Sequence, residues 1–206
     1  ASAEFVLKDP TVNFAVLECA RGGLLRAGLG FKKCDVAIVT NVSADHLGLK
    51  GIHTVEQLAR VKAVVPETVL PDGYAILNAD DDLVYEMRRN IDCNLALFSM
   101  DENNPRIQAL QRIGGITAIY ENGYVTLCRG EWKMRLMKAE NIPLTYGGKA
   151  RFMIQNILPA VIAANVQGIS IEDTKAALET FIPSASSTPG RLNLFKFNNF
   201  DILLDY

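Results

Sequence analysis

The stretch Val36-Ala37-Ile38-Val39-Thr40-Asn41 decides how this chain is expected to fold. Four apolar residues in a row, followed at once by polar ones, are typical of a strand that is buried on both faces of a parallel sheet. A second run of this kind, Phe14-Ala15-Val16-Leu17, ends in Glu18. The two runs predict neighbouring parallel strands whose ends open on one edge of a sheet.

Short apolar runs alternate with helix-length segments over most of the 206 residues. Two more strands are predicted at residues 74–77 and 95–98, and helices around residues 24–29, 55–65 and 83–89. This alternation predicts an α/β fold, an open and mostly parallel sheet with flanking helices. Asn122-Gly123 lies between two alternating runs, which is a strong hairpin signal, so a small antiparallel sheet is expected over residues 117–137.

The last third of the chain predicts two helices, a linker and a hairpin. Apolar residues recur at helical spacing over residues 154–162, and Ser170 begins a second helix that runs to about residue 180. A segment rich in Ser and Pro follows, and then two short apolar runs. We therefore expect a central domain over residues 1–183, with a linker and the first strands of a further lobe over residues 184–206.

The composition argues against several kinds of partner. The net charge is −2, and no basic run is present, so neither nucleic acid nor a membrane surface is expected to bind. No apolar stretch reaches the length of a membrane span, and the N-terminal residues do not resemble a secretory signal. Four separated cysteines and two histidines make a zinc site improbable and suit a reduced, cytoplasmic protein.

Polar residues gather where the first two predicted strands end. Glu18 follows one strand, Thr40-Asn41 follow the other, and Asp45-His46 come just beyond. The carboxyl ends of parallel strands form the usual ligand crevice of an open sheet. Oxygen donors with one imidazole suit Mg²⁺ or Mn²⁺ better than zinc. The alternative is that Glu18 caps the following glycine-rich turn and that His46 only packs in a loop.

Lys62 borders the inward face of the predicted helix at residues 55–65, and Thr54 and Gln57 are spaced as a capping box at the start of this helix. Such a lysine usually extends its amine to water. The alternative is that it points into the crevice, where burial would favour the neutral and chemically reactive amine. The sequence contains no Gly-x-x-x-x-Gly-Lys-Ser/Thr phosphate-binding loop, and Gly147-Gly148-Lys149 is followed by Ala150, which is typical of a turn.

Several segments, in order along the chain, resemble one family. Residues 17–30 resemble the LE-x-ARGG-x-LR-x-GLG run of cyanophycin synthetases, and residues 40–47 resemble the TN-xxx-DH segment of Mur ligases and folylpolyglutamate synthetases. Further resemblances are the Asn-x-Asp-Asp turn at residues 78–81, the TPGR element at residues 188–191 and the Asp-Tyr pair at residues 205–206. Residues 151–156 depart from the family's His-Asn-xx-Asn pattern, of which only Asn156 matches.

The resemblance implies a role for each matching residue. Glu18 and His46 would bind Mg²⁺, and His46 and Lys62 would be catalytic, with Lys62 at the place of a lysine that is carbamylated in many Mur ligases. The nucleotide would be contacted by residues from both lobes: Asn41, Asn78, Asp80, Asn156, Arg191 and Asp205. The missing histidine before Asn156 is expected to weaken the adenine contact.

The resemblance also implies an activity, an ATP-dependent acid–amino-acid ligase within a longer chain. ATP would activate an aspartate side-chain carboxylate of cyanophycin, the Asp–Arg polymer, as an acyl phosphate, and arginine would then form the amide, with Mg²⁺ assisting. Implied partners are the ATP-grasp domain of the same enzyme and a possible second copy. The family's phosphate loop would lie upstream of residue 1, so the 206-residue chain alone is expected to be inactive. The alternatives are a folylpolyglutamate or peptidoglycan-precursor ligase and a non-catalytic structural paralogue.

Overall fold

The computed structural model describes residues 2–44, 47–48 and 51–205. His46 and Asp45, which belong to the predicted site, lie outside the described residues. The helices are α1 Ser2–Lys8, α2 Arg21–Ala27, α3 Val55–Ala63, α4 Asp82–Glu86, α5 Pro105–Arg112, α6 Arg151–Val166 and α7 Ile171–Thr180. The strands are β1 Cys34–Val39, β2 Val69–Asn78, β3 Asn94–Ser99, β4 Ile116–Glu121, β5 Tyr124–Arg129, β6 Trp132–Lys138, β7 Asn193–Lys196 and β8 Asp201–Leu204. None of the described helices is both long and apolar enough to span a bilayer.

Strands β1 to β6 form one sheet in the order of the sequence. The first four are parallel, and β4, β5 and β6 continue the same sheet as an antiparallel meander. The predicted open, mostly parallel sheet is therefore confirmed. The meander that the Asn-Gly turn predicted extends this sheet, while the separate small antiparallel sheet is the β7–β8 hairpin.

Helices cover the main sheet on both faces. On one face, α3, α4 and α5 pack around buried Val84, Leu97 and Ile107. On the other face, α6 packs with its stripe of Ile154, Leu158 and Ile162 against the middle strands. The parallel crossovers through α3, α4 and α5 bring the carboxyl ends of β1, β2 and β3 to one edge, since Val39 pairs with Leu77 and Leu77 pairs with Leu97.

The predicted strand at residues 14–17 is wrong. Within the described chain these residues form no strand, although half-buried Ala15 and Leu17 alternate with exposed Phe14 and Val16 as in an extended chain. Val16 is 87% exposed, so this run is not buried on both faces. A cavity separates the segment from β1, and without a neighbouring backbone in reach the apolar run cannot join the sheet.

Local signals at helix ends were predicted correctly. Thr54 and Gln57 form the expected capping box at the start of α3, and the Ser170 hydroxyl accepts from the Asp173 amide at the start of α7. Helix α5 was not predicted, although Asn104 caps it and Pro105 occupies its first position. Gly147-Gly148 lie in a turn, as expected, which follows Tyr146 in the left-handed conformation.

Glu121 at the end of β4 is a buried carboxylate in the meander. It is 6% exposed, and the Lys133 ammonium donates to its Oε1 at 2.6 Å while Arg135 Nε lies 3.6 Å from Oε2. The Lys133 hydrogen bond, with the charges of Lys133 and Arg135, outweighs burial and holds the pKa of Glu121 below its ordinary value. The ionised form of Glu121 therefore stabilises the meander.

Replacing this carboxylate in a Glu121→Gln variant is expected to lower the free energy of unfolding by about 1–2 kcal/mol at pH 7, because a charge-assisted hydrogen bond is lost. A carboxylate with a lowered folded pKa stabilises the protein above its unfolded pKa and loses that effect as the pH falls through the folded pKa. The difference between the two proteins should thus persist from pH 7 to 5 and shrink below the ordinary pKa of 4.5. Urea unfolding at several pH values measures it.

The matched control is Glu131→Gln, which removes the same charge from an exposed position in the β5–β6 turn. It should change stability by less than about 0.5 kcal/mol. An equal effect of both substitutions would show that net charge, and not the Lys133 contact, sets the stability of the meander.

Candidate functional site

A cavity of about 820 Å³ lies beside β1, between the extended residues 14–20 and the elements β1, α3 and α6. Its polar lining includes Glu18, Thr40, Asn41, Ser43 and Lys62. Small residues of α6, among them Ala160 and Ala163, line the opposite wall. A cavity of this size could hold a nucleotide-sized ligand.

The polar residues that follow β1 and β2 are joined directly. Asn78 is the last residue of β2 and is 2% exposed. Its Nδ2 donates to the carbonyl oxygen of Thr40 at 2.7 Å, and its Oδ1 accepts from the Asp80 amide at 2.9 Å. Both ends of the amide are therefore used inside the protein, so Asn78 links two strand ends. Its predicted role as a nucleotide contact stays a prediction.

Three side chains hold the backbone of three consecutive residues. Besides the Asn78 bond to Thr40, Lys62 Nζ donates to the carbonyl oxygen of Asn41 at 2.7 Å, and the amide of Val42 donates to Asp81 Oδ2 at 2.7 Å. We call these three bonds the 40–42 clamp. Because the side chains come from β2, α3 and the start of α4, the clamp fixes the segment relative to three elements of the fold.

Lys62 lies on the inner side of α3 and is half-buried. Its contact with Asn41 and its place in the cavity lining favour the interpretation in which the lysine points into the crevice. A lysine amine so placed can hold the loop, and a neutral amine there could react with CO₂.

Asp80 is exposed, yet its carboxylate is bonded to the neighbouring strand end. Oδ1 accepts from the Ser99 hydroxyl at 2.5 Å and from Asn104 Nδ2 at 2.9 Å, and Oδ2 accepts from the Met100 amide at 2.7 Å. These bonds join the ends of β2 and β3 to the start of α5. A nucleotide contact by Asp80 stays a prediction, and a ligand would have to compete with these donors.

Glu18 lines the cavity, with its side chain exposed. Burial raises the pKa of the adjoining Cys19 thiol, and the nearby Cys34 thiol raises it further. Cys34 begins β1, whereas Asn41 follows its end, and six residues of strand span roughly 17 Å. Cys19 therefore lies near the beginning of β1, whereas the predicted parallel strand would have brought this segment to the end of β1. The predicted partner of Glu18, His46, lies outside the described residues.

Asn156 lies on α6, one turn before the residues that line the cavity. It precedes Ala160 by four positions and Ala163 by seven, and residues so spaced share one face of a helix. Asn156 is exposed, and Arg151 at the start of the same helix lies with its guanidinium carbon 5.6 Å from the centre of the Tyr120 ring. The face that carries Asn156 therefore continues the cavity wall.

Arg191 and Asp205 lie at the base of the β7–β8 hairpin. The Leu192 amide donates to Asp205 Oδ1 at 3.3 Å, and the Tyr146 hydroxyl donates to the Leu192 carbonyl oxygen. The first bond closes the base of the hairpin, and the second attaches the hairpin to the turn before α6. In the part of the chain that the structure describes, the cavity lining contains neither Arg191 nor Asp205.

The metal prediction can be compared only with the described residues. Over residues 2–44, 47–48 and 51–205, no group of three or more His, Cys, Asp or Glu side chains could hold a metal ion. The cavity does present the Glu18 carboxylate and the oxygens of Thr40, Asn41 and Ser43, which are of the type that Mg²⁺ prefers. The donor chemistry fits Mg²⁺, with Glu18 and, beyond the described residues, His46 as the residues that would hold it.

Asp81 was not predicted as a site residue. Its only signal in the sequence is the Asn-x-Asp-Asp turn, in which it is the second aspartate. The structure makes Asp81 the cap of α4 and a member of the 40–42 clamp. Sequence alone does not give the partner of its second oxygen, because Val42 is 39 positions away.

The sequence is similar to those of two kinds of ligase, cyanophycin synthetases and ligases of peptidoglycan precursors. It is 53% identical over 205 residues to a cyanophycin synthetase of Geminocystis herdmanii (strain PCC 6308), a match that covers 100% of this chain and 24% of that protein. It is 26% identical over 181 residues to a UDP-N-acetylmuramoylalanine–D-glutamate ligase of Geobacillus sp. (strain WCH70), covering 88% of this chain and 35% of that protein. The chain thus spans about a quarter of the length of the cyanophycin synthetases that it matches.

The fold has counterparts among solved structures. MurF from Acinetobacter baumannii superposes with a TM-score of 0.59 at 22% identity, over 84% of this chain and 34% of that one. The likeness at this identity shows the fold alone. The sequence also matches the family described as the Mur ligase middle domain over residues 3–164. Since this match takes in most of the 206 residues, the chain belongs to the Mur ligase middle-domain family.

Proposed function

We propose that this chain is the Mur-ligase-like part of a longer ATP-dependent ligase that adds arginine to the aspartate side chains of cyanophycin. One observation carries the proposal: identity to proteins named cyanophycin synthetase is 52–53% over the whole chain. Identity to ligases of muramic-acid peptides is 23–29% over shorter spans, which favours the cyanophycin substrate over a peptidoglycan precursor.

The proposed reaction has two steps. A side-chain carboxylate oxygen attacks the γ-phosphorus of ATP, forming an acyl phosphate and releasing ADP. The α-amine of arginine then attacks the acyl carbon, phosphate leaves, the amine loses a proton and the amide forms. Mg²⁺, when bound, would neutralise charge on the phosphoryl group in transfer.

The residues of this chain would bind and orient the reactants. The 40–42 clamp holds Asn41 at the cavity, and Glu18 with His46 would hold the metal ion. Asn156 would contact the nucleotide from α6. Arg191 and Asp205 would contact the phosphate and ribose from the hairpin, as the resemblance to Mur ligases implies.

Lys62 would serve as a carbamate. In that reaction the neutral amine attacks the carbon of CO₂, an N–C bond forms and one proton is released, which leaves an anion in place of the amine. The half-buried position of Lys62 and its contact with Asn41 support a fixed role at the cavity. A carbamate would add an oxygen ligand for Mg²⁺ near the other oxygen donors.

Residues 184–206 would begin a further lobe. Apolar side chains are exposed on both faces of the β7–β8 hairpin: Leu194, Phe195, Ile202, Leu203 and Leu204. Contiguous exposed apolar surface of this kind generally marks a contact with another domain or chain. The proposal also includes an ATP-grasp domain in the same protein, a possible homo-oligomer and a place in the cytoplasm.

The test uses the full-length protein with ATP, Mg²⁺, arginine and an Asp–Arg primer. We expect ATP-dependent amide formation on the primer, detected by mass spectrometry, and no product from UDP-sugar peptides or folates. If a product forms from a UDP-sugar peptide or a folate instead, that compound and not cyanophycin is the substrate. Absence of both product and phosphate release with every acceptor would support the non-catalytic paralogue instead.

The 206-residue chain alone is the second arm of this test. Because it contains no Gly-x-x-x-x-Gly-Lys-Ser/Thr loop to cradle a triphosphate, we expect phosphate release no faster than that of its own Glu18→Ala variant. Steady turnover above that control would show that the described cavity suffices for ATP hydrolysis.

A further inference from the structure

We infer that Asp81 is a positioning residue of this ligase, which fixes residues 40–42 against the start of α4 and thereby sets the geometry of the cavity. The inference rests on the proposed function for its kinetic consequences, while the hydrogen bonds that carry it can be tested without activity.

The Asp81 carboxylate makes one bond with each oxygen. Oδ1 accepts from the Val84 amide at 3.0 Å and caps α4, while Oδ2 accepts from the Val42 amide at 2.7 Å. The first bond lies within the helix start, but the second joins residues 39 positions apart. A helix cap alone would use only one of these oxygens, so the second bond gives Asp81 a further role.

The segment that Asp81 holds contributes directly to the cavity. Thr40, Asn41 and Ser43 line it, whereas Asp81 lies outside the lining. Asp81 therefore acts through the backbone of Val42. The Asn78 and Lys62 bonds hold the carbonyl oxygens of Thr40 and Asn41, and the Asp81 bond holds the next amide. Loss of this last bond would free one end of the clamp, next to the residues that lead to Asp45-His46.

Substitution by asparagine separates the two hydrogen bonds of Asp81, the cap of α4 and the bond to Val42. In an Asp81→Asn variant the amide oxygen can still cap α4, because asparagine caps helices about as well as aspartate. The amide nitrogen, however, cannot accept from the Val42 amide. The variant thus keeps the cap and removes the clamp bond.

The test measures amide hydrogen exchange in the full-length protein, together with steady-state ligation. In Asp81→Asn, exchange in peptides covering residues 40–44 should rise about tenfold, because a charge-assisted hydrogen bond is lost, with exchange in α4 unchanged. The kcat should fall about ten- to a hundredfold from misplacement of the site, while KM for arginine stays within about twofold. Asp81→Ser, a cap too short to reach Val42, should behave in the same way.

Asp82→Asn is the matched control. It makes the same charge change one residue away, at a side chain that is 84% exposed and paired with Arg106, and it should leave exchange in residues 40–44 and kcat unchanged.

Unchanged exchange in residues 40–44 of both Asp81 variants would overturn the inference. So would raised exchange with an unaltered kcat, since the bond would then be structural only. If the wild-type protein forms no amide with any acceptor, the proposed function fails, and the exchange measurement still decides whether Asp81 holds the segment.

Discussion

Replacing Lys62 by methionine in the full-length protein is expected to lower kcat for arginine addition by about two to three orders of magnitude, the usual effect of removing one positioned polar group from an active site. The methionine keeps most of the half-buried aliphatic stem but removes the amine that donates to Asn41 at 2.7 Å. The carbamate proposed at this position is lost as well. Initial rates at saturating ATP and arginine measure the effect.

Lys62→Arg separates the two contributions of Lys62. Arginine can still donate to the Asn41 carbonyl, but its guanidinium stays charged and cannot form a carbamate. If the carbamate is needed, this variant should be as inactive as Lys62→Met, and ¹³C-bicarbonate should give a carbamate NMR signal in the wild type that both variants lack. If only the hydrogen bond matters, arginine should retain activity within about tenfold of the wild type.

The control for these variants is Lys8→Met, which removes an ammonium from the exposed surface of α1, where Lys8 is paired with Glu4. It should have no effect on kcat. A Lys62→Met protein with at least half of the wild-type kcat would contradict both roles of Lys62.

The main sheet could be predicted because its signals are local. Strand β3 appears in the sequence as an unbroken apolar run because both of its faces are buried. Strand β1 is also an unbroken apolar run, but it is not buried on both faces, since Ile38 lines the cavity and is 38% exposed. Thr54 and Ser170 marked helix starts because each caps an amide only three residues away. Helix α5 was missed because its apolar stripe is sparse, with Ile107 and Leu110 as its buried residues.

The error at residues 14–17 has a different cause. An apolar run shows that a segment favours burial and an extended backbone, but not that a neighbouring strand is in reach. In this structure the segment keeps the alternation of an extended chain and lies across a cavity from β1. Whether two strands pair depends on residues far apart in the sequence, so the composition of one strand cannot predict it.

Long-range contacts also limited the prediction of the site. The expected position of Thr40 and Asn41 at a sheet edge is confirmed, because both follow β1 next to the end of β2. The expected strand before Glu18 is absent, and Asp45 and His46 lie outside the described residues.

Which atoms the polar residues would contact could not be predicted. Asn78 and Asp80 bond to the protein itself, and Asp81 reaches back to Val42. A sequence gives the donors and acceptors of a site, and only the fold assigns them to each other.

Replacing Glu18 by glutamine is expected to raise the Mg²⁺ concentration for half-maximal activity about tenfold or more and to lower kcat about a hundredfold, with little change in stability. Glutamine keeps the shape and one oxygen but removes the negative charge that attracts a divalent ion. Because the Glu18 side chain is exposed, the free energy of unfolding should change by less than about 0.5 kcal/mol. Mg²⁺ titration of ligation and urea unfolding measure the two effects.

This prediction also tests the role of residues 14–20, the segment that carries Glu18 and that forms no strand with β1. Cys19, the neighbour of Glu18, lies near Cys34 at the beginning of β1, while Glu18 and Asn41 line the same cavity. A metal role would require Glu18 either to act from its position in this structure or to approach Asn41 when nucleotide binds. Exchange of peptides covering residues 14–21 with and without ATP and Mg²⁺ separates these cases, since only an approach that orders the segment adds protection there. A Glu18→Gln protein with the Mg²⁺ dependence of the wild type would show that the ion is held by other residues, and the segment would then serve only as a wall of the cavity.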